Sequence, residues 1–359
     1  MGIKAAKIRN ANSRNKASAA KETTSHPTKD VKFLNDIVVA IEIGTEFSGL
    51  AYCTKSWYNY RGGPRIHIHS WPAQMTMTGK APTCVLLDSD KKFISFGHEA
   101  NFDFVEEKCD TKDCYFFKHF RMKLSEMKEE LSGDTMLESQ NGKAMPAIRV
   151  FSAVIEFFKD KLLTGLESKD PSSRFHASDI HWVLTVPAIW NFKAKQFMRE
   201  AAHKAGIDDN QLTLALEPEA ASLYCRKVPS SVDRKAGGGP SIANFKAGAK
   251  YLIMDLGGGT IDITAHEVLE DGHFKEIIEP TGVSWGSRMV KEEFTRFLQR
   301  LCGQDVLSEL QRNTSADWPA IIVEFERKMF AYDPKAKMET ITIRIPSTLP
   351  AEFEKNDRM

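Results

Sequence analysis

Two stretches of this chain, far apart in sequence, end in the same way. The first reads Val39-Ala40-Ile41-Glu42-Ile43-Gly44-Thr45 and the second Leu252-Ile253-Met254-Asp255-Leu256-Gly257-Gly258-Gly259-Thr260. Each is a short apolar run, as a buried strand requires, closed by a carboxylate, an apolar residue and glycine, with a threonine close behind. Glycine lets backbone N–H groups approach an anion with no Cβ in the way, and successive N–H groups in such a bend form a nest for phosphate oxygens. A carboxylate just before the bend can orient a magnesium ion through its waters, because magnesium keeps most of its hydration shell. Two such hairpins facing each other would grip a polyphosphate from both sides, one from each half of a two-part molecule. Taken alone, the Glu42 turn reads as an ordinary hairpin. The run from Asp255 to Asp262, with apolar strands on both sides, is far more specific.

Composition narrows the class. A chain of 359 residues has room for roughly two domains, and its 42% apolar share can fill their cores. No stretch approaches the ~20 apolar residues of a membrane helix, and no apolar segment follows the first charges as a secretory signal would. With 49 basic against 48 acidic side chains, a dedicated nucleic-acid binder is not expected. The cysteines at 53, 84, 109, 114, 225 and 302 show no C-x-x-C pair. Cys109 and Cys114 have only Asp110, Asp113 and His119 nearby as further ligands. Free thiols in a reducing, cytoplasmic or nuclear setting are therefore expected, ahead of a zinc site or a disulfide frame.

Residues 1–35 are expected to be a disordered basic tail, rich in Lys, Ala, Ser and Asn and without apolar periodicity. Strands are predicted at Ile37–Ile43 and Phe47–Cys53, paired as a hairpin, with further pieces at Ile66–His69, Thr83–Leu87 and Lys92–Phe96. Ile148, Phe151, Val154, Ile155, Phe158 and Leu162 recur at three- and four-residue steps, which predicts a helix over 147–163. A strand at Ile180–Val186, a helix over 192–204 stopped by Gly206, a strand at Gln211–Leu216 and a helix opening near Pro218 follow. Residues 228–249, with Gly237, Gly238, Gly239 and Pro240, read as an exposed loop. Strands at Tyr251–Leu256 and Ile261–His266, helices over 289–301 and 319–330, and a last strand at Thr340–Ile345 complete the reading.

A third element is Thr185-Val186-Pro187-Ala188, followed later by Glu217-Pro218-Glu219-Ala220-Ala221. Together with Asp255-Leu256-Gly257-Gly258-Gly259-Thr260-Ile261-Asp262, these pieces resemble, in order and spacing, the nucleotide-binding domain of the 70-kDa heat-shock (DnaK-type) family. Thr83 through the Phe-rich segment near Phe116, Trp190, and Ala220 to Arg226 look most like the divergent heat shock 70 kDa protein 12 branch and its fungal relatives. The resemblance covers roughly residues 36–330. It implies an α/β, actin-like (ribonuclease H-like) ATPase fold, with lobe I over 36–227, the loop 228–249, and a partial lobe II over 250–359 around a nucleotide cleft.

The resemblance also implies roles. Gly44 and Thr45 fall in the first phosphate loop, and Gly257, Gly258, Gly259 and Thr260 in the second. Asp255 corresponds to a carboxylate that positions hydrated magnesium, with Glu42 acting through water. Glu217, Thr260 and Asp262 correspond to groups near the attacking water. Gly282, Gly286 and Ser287 fall near a further nucleotide-contacting loop, and Glu326 and Lys328 on a helix like the one that covers the adenosine. Pro187 and Lys195 sit where the family has an interlobe relay. The implied ligands are ATP or ADP with Mg2+, and the implied role is chaperone-related and stress-linked, with co-chaperones or client proteins as partners. Slow hydrolysis is expected to drive lobe closure.

Three departures stand out. Glu42 replaces the family's aspartate, advancing the carboxylate by roughly 1.5 Å. Glu46 replaces a usual threonine or serine beside the phosphates. The family's catalytic lysine has two candidates, Lys118 and Arg121, and neither is in register without a shift. No glycine-rich adenosine loop and no peptide-binding domain is found before Met359. The alternatives are a non-hydrolysing nucleotide switch or scaffold, a sugar or metabolite kinase of the same superfold, and an actin-like filament protein.

Overall fold

Strand β1 (Ile37–Ile43) buries every second residue, with Ile37, Val39, Ile41 and Ile43 all at 3% exposure or less. Strand β8 (Ile180–Val186) does the same with Ile180, Trp182, Leu184 and Val186. The two run parallel, with Glu42 opposite Thr185. β1 turns back at Gly44–Glu46 into antiparallel β2 (Phe47–Thr54), so the predicted hairpin forms with Ile43 opposite Ser48. Together with β3 (His67–Ile68), β4 (Ala81–Pro82) and β9 (Leu212–Leu216) they make a six-stranded sheet of order β9-β8-β1-β2-β3, with β4 also on β2. A three-strand meander followed by two parallel strands is the α/β arrangement expected of an actin-like ATPase lobe.

The computed structural model of the chain describes residues 36–58, 65–73, 76–105, 113–126, 131–169, 177–227, 246–313, 317–333, 340–347 and 349. The tail 1–35, residues 228–245 of the loop, and Cys109 lie outside the described residues. Two compact units divide the chain between Glu292 and Glu293.

In the first unit, α2 (Ala147–Lys169) presents the face its periodicity predicts: Phe151, Val154, Ile155 and Phe158 are fully buried. Each such side chain contributes roughly 1.5–3 kcal/mol. Phe151 meets Phe197 of α3 (Phe192–Lys204) edge to face at 5.5 Å. The helix α3 starts where the Asn191 side chain accepts from the Ala194 N–H at 3.0 Å, and it stops before Gly206, whose φ is +77°. A separate small sheet joins β5 (Cys84–Leu87), β6 (Phe93–Phe96) and β7 (Tyr115–Lys118), with β5 in the middle. Just after it comes the short helix α1 (Arg121–Glu126).

The second hairpin repeats the first. β10 (Lys250–Leu256) pairs antiparallel with β11 (Ile261–Val268), and Asp255 faces Asp262 across the ladder. Asp255 is the penultimate residue of its strand, as Glu42 is of β1. A third strand, β12 (Phe274–Val283), pairs with β11. Pro280 and Gly282 interrupt its strand-like pattern, and as the outer strand of this sheet it tolerates both. The alternation of β10 turns Tyr251, Ile253 and Asp255 to one face, where the Tyr251 hydroxyl lies 2.9 Å from Ser222 Oγ on α4 (Glu217–Lys227). Leu252, Met254 and Leu256 are exposed on the other.

Helix α5 (Ser287–Cys302) runs across the boundary between the units. In the second unit, Leu298, Val306, Leu307, Leu310, Ile321 and Leu349 form a small core with α6 (Gln304–Asn313) and α7 (Asp317–Ala331). The rings of Phe294 and Phe325 stack at 4.0 Å.

Two expectations are corrected. Thr340–Ile345 is not a strand: its β-branched alternation finds no hydrogen-bonding partner among the described residues, and a strand needs a ladder. Cys114 is disulfide-bonded rather than free; spacing and nearby charges gave no sign of a bond at this fully buried position. Cys53, Cys84, Cys225 and Cys302 are free, as expected. Burial pushes the Cys84 thiol up to about 12. Among the described residues no helix is long and apolar enough to cross a membrane.

Candidate nucleotide site

The two glycine turns meet. A Cβ on Gly259 would lie 2.5 Å from Thr45 Oγ1, and one on Gly258 would overlap the Glu46 side chain. Only glycine allows this approach, so Gly258 and Gly259 are required by the contact itself. Met122 wedges in beside them, its sulfur 3.8 Å from Thr45 Oγ1. The start of α5 braces the second turn from behind. The N–H groups of Gly286, Ser287 and Arg288 donate to the carbonyls of Gly259, Gly257 and Gly258 at 3.2, 3.1 and 2.9 Å. Gly286 and Ser287 therefore act on the turn through its carbonyls.

A charged cluster stands beside the turns. Arg121, at the start of α1, donates from Nη1 to the carbonyl of Ile43 at 2.9 Å, and its Nη2 lies 2.9 and 3.0 Å from the two oxygens of Glu217. Its guanidinium lies over the Trp190 ring, 5.5 Å from the centroid. Glu217 opens α4 with Pro218 behind it, as predicted. Glu42 pairs with Lys80, its oxygens 2.8 and 2.9 Å from Nζ. Burial raises the Glu217 carboxyl above its ordinary range; Arg121 opposes this, while Glu42 and Asp255 add to it. Asp255 is raised by burial and by Glu42, against the pull of Arg121 and Lys80. Glu42, Glu217 and Asp255 thus repel one another around a single guanidinium.

Such a cluster fits a hydrated divalent cation, which would relieve that repulsion. Among the described residues no three His, Cys, Asp or Glu side chains lie close enough to hold an ion directly. Thr260 donates from Oγ1 to Asp262 Oδ2 at 3.0 Å, and both are buried. Gly282 lies opposite Asp262 in the ladder, where a Cβ would come 3.0 Å from Asp262 Oδ1.

Of the predicted site residues, Glu42, Gly44, Thr45, Glu217, Asp255, Gly257 to Thr260, Asp262, Gly282, Gly286 and Ser287 belong to the first unit. Glu326 and Lys328 lie on α7 of the second and are described with it. Of the two cations considered, Arg121 reaches the carboxylates. Lys118 lies over the Phe116 ring at 5.1 Å, and burial lowers its pKa. Lys80, His119, Met122 and Lys291 were not foreseen, since no local pattern marks a side chain whose partner is far away in sequence.

No protein-family model matches the chain. It is 32% identical over 388 residues to heat shock 70 kDa protein 12A of Homo sapiens, covering 93% of this chain and 55% of that protein. Heat shock 70 kDa protein 12B of Homo sapiens is 33% identical over 346 residues, covering 81% of this chain and 49% of that protein. A chaperone protein dnaK of Cyanidioschyzon merolae is 30% identical over 165 residues, 45% of this chain and 24% of that protein. The chain spans about half the length of the two human relatives. Among solved structures, MreB5 of Spiroplasma citri bound to ADP aligns with a TM-score of 0.42 at 10% identity, over 77% of this chain and 61% of that one. With about one residue in three shared along most of its length, the chain belongs to the 70-kDa heat-shock family, in its divergent heat shock 70 kDa protein 12 branch.

Proposed function

We propose that the chain binds ATP and ADP with Mg2+ between its two glycine turns and hydrolyses ATP slowly. The observation that supports this best is the meeting of Thr45 and Glu46 with Gly259 and Gly258 beside the cluster of Glu42, Glu217, Asp255 and Arg121. A bound magnesium ion would supply charge neutralisation at the terminal phosphates. Asp255 and Glu42 would hold that ion through its waters, and backbone N–H groups of the Gly44–Thr45 and Gly258–Thr260 turns would be the donors to the phosphates. The Thr260 hydroxyl donates its hydrogen bond to Asp262, so its oxygen lone pairs would be left to accept one from the attacking water. Glu217, buried and with its pKa raised, would take that water's proton. Arg121 is the cation held on Glu217, and Lys80 the one held on Glu42. Catalysis in such a site rests on positioning and charge stabilisation. Closure of the lobes on ATP and relaxation after hydrolysis is the motion that co-chaperones or client proteins would read. The assignment of Glu326 and Lys328 to the adenosine, and of Pro187 and Lys195 to an interlobe relay, rests on the family resemblance alone.

Calorimetry with Mg-ATP and single-turnover hydrolysis by the purified chain test this reading. No binding at millimolar Mg-ATP would end it. The second reading is a nucleotide switch that does not hydrolyse. It is favoured by Glu217 being held on Arg121 and by Glu42 being held on Lys80. Binding without turnover, with Glu42→Asp restoring turnover, would select it.

A further inference from the structure

A second charged group lies at the turns, built on Glu46, Lys291 and His119. Glu46 belongs to the first turn, yet its side chain packs against Gly258 of the second. Its Oε2 lies 2.5 Å from Lys291 Nζ, and its Oε1 lies 3.2 Å from His119 Nδ1. The Glu46 and Lys291 side chains are only 11% and 16% exposed. Lys291 sits one turn into α5, whose first N–H groups hold the carbonyls of Gly257, Gly258 and Gly259. The ion pair therefore ties the first turn to the element that braces the second. His119 completes the seat: Nδ1 lies 3.3 Å from the Thr45 carbonyl oxygen, and the residue has a φ of 51°. That left-handed backbone is one that histidine, like asparagine and aspartate, adopts more readily than other residues with a Cβ.

The anion seated between the turns is thus a carboxylate of the chain itself. A carboxylate and a terminal phosphoryl group attract the same donors, and a lysine held in low dielectric serves either. We infer that Lys291 is the phosphate-binding cation of this site and that Glu46 is its built-in competitor. A nucleotide engages Lys291 by displacing the Glu46 carboxylate, so the pair is a latch that holds the two turns shut until an oligophosphate takes its place. The inference rests on the proposed nucleotide reading and deepens it. The ligand class it names is an oligophosphate with a free terminal phosphate.

Binding of Mg-ATP and Mg-ADP, measured by calorimetry on the full chain, tests this with Glu46→Gln, Lys291→Met and the double variant. Loss of one charge-assisted contact changes affinity by about tenfold or more. Glu46→Gln should bind Mg-ATP about tenfold tighter than the wild type and Lys291→Met about tenfold weaker. The gain from Glu46→Gln should largely vanish when Lys291 is Met. If the wild type binds and Glu46→Gln binds no tighter, or Lys291→Met no weaker, the latch is wrong while the site stands. If no variant and no wild-type protein binds, the latch and the site fall together. Glu46→Thr repeats the test should the glutamine variant melt early.

Discussion

Arg121 Nη2 lies 2.9 and 3.0 Å from the two carboxylate oxygens of Glu217, while Nη1 reaches back to the Ile43 carbonyl. One guanidinium thereby joins the end of β1 to the first residue of α4. Both side chains are mostly buried, at 6% and 13% exposure. Arg121→Met leaves the Glu217 carboxylate buried without its ion-pair partner, and should cost about 3 kcal/mol of stability, the scale of a broken buried pair. Adding Glu217→Gln should recover part of that loss. Urea unfolding of the two single variants and the double variant measures the coupling, and strictly additive losses would show that the pair carries none.

Asp255→Asn should separate stability from binding. The Asp255 carboxyl is raised in the folded state, so its contribution to stability is present at acidic pH and lost as pH rises through that raised value. At neutral pH the ionised group works against the fold, and Asp255→Asn should melt higher than the wild type while binding Mg-ATP more weakly. Protons also compete with the cation. Wild-type Mg-ATP affinity should therefore begin to fall, on acidification, at a higher pH than an ordinary carboxylate would dictate, and the asparagine variant should show a flatter profile. Unchanged Mg-ATP affinity in Asp255→Asn would remove the residue from the site.

His119 has the opposite sign. Burial holds its imidazole below the ordinary value of 6.5, with Glu46 pulling it back up. The unfolded chain takes this proton first, so the stability His119 contributes is full above about pH 6.5 and is lost as pH falls to the folded value. His119→Asn keeps a residue that tolerates the left-handed backbone. Between pH 7.5 and pH 5, the urea midpoint of the wild type should fall further than that of the variant. Parallel curves would show that His119 does not titrate with folding.

Gly286→Ala is a test of the brace. A Cβ there would run into the Gly258 carbonyl. The start of α5 must then move off the second turn, at a cost of about 1–3 kcal/mol, as for other overpacked contacts. Thermal melting should show the loss, and Mg-ATP affinity should drop with it. A variant with wild-type melting and binding would show that α5 does not hold the turn.

Much of this arrangement is legible in the sequence because its signals are local. β1 and β8 announce themselves by short apolar runs, α2 by the spacing of Phe151, Val154, Ile155 and Phe158, and both turns by glycine after a carboxylate. The stop at Gly206 and the start at Glu217 follow from backbone chemistry alone. What the sequence hides is pairing at a distance. Nothing near Glu46 announces Lys291, 245 positions away, and nothing near Arg121 announces Glu217. β12 was hidden for a related reason, since Pro280 and Gly282 forbid a central strand and permit an outer one. Thr340–Ile345 misled in the other direction: alternation shows that a segment suits a sheet, and a sheet still needs a neighbour.

Thr45 and Glu46 already rest on Gly259 and Gly258, so the two turns are in contact before any nucleotide arrives. Any visitor must wait for them to part. Arrival should therefore slow from a diffusional pace to a plateau set by the opening frequency, and crowding the solution with more of the visitor will not raise that ceiling.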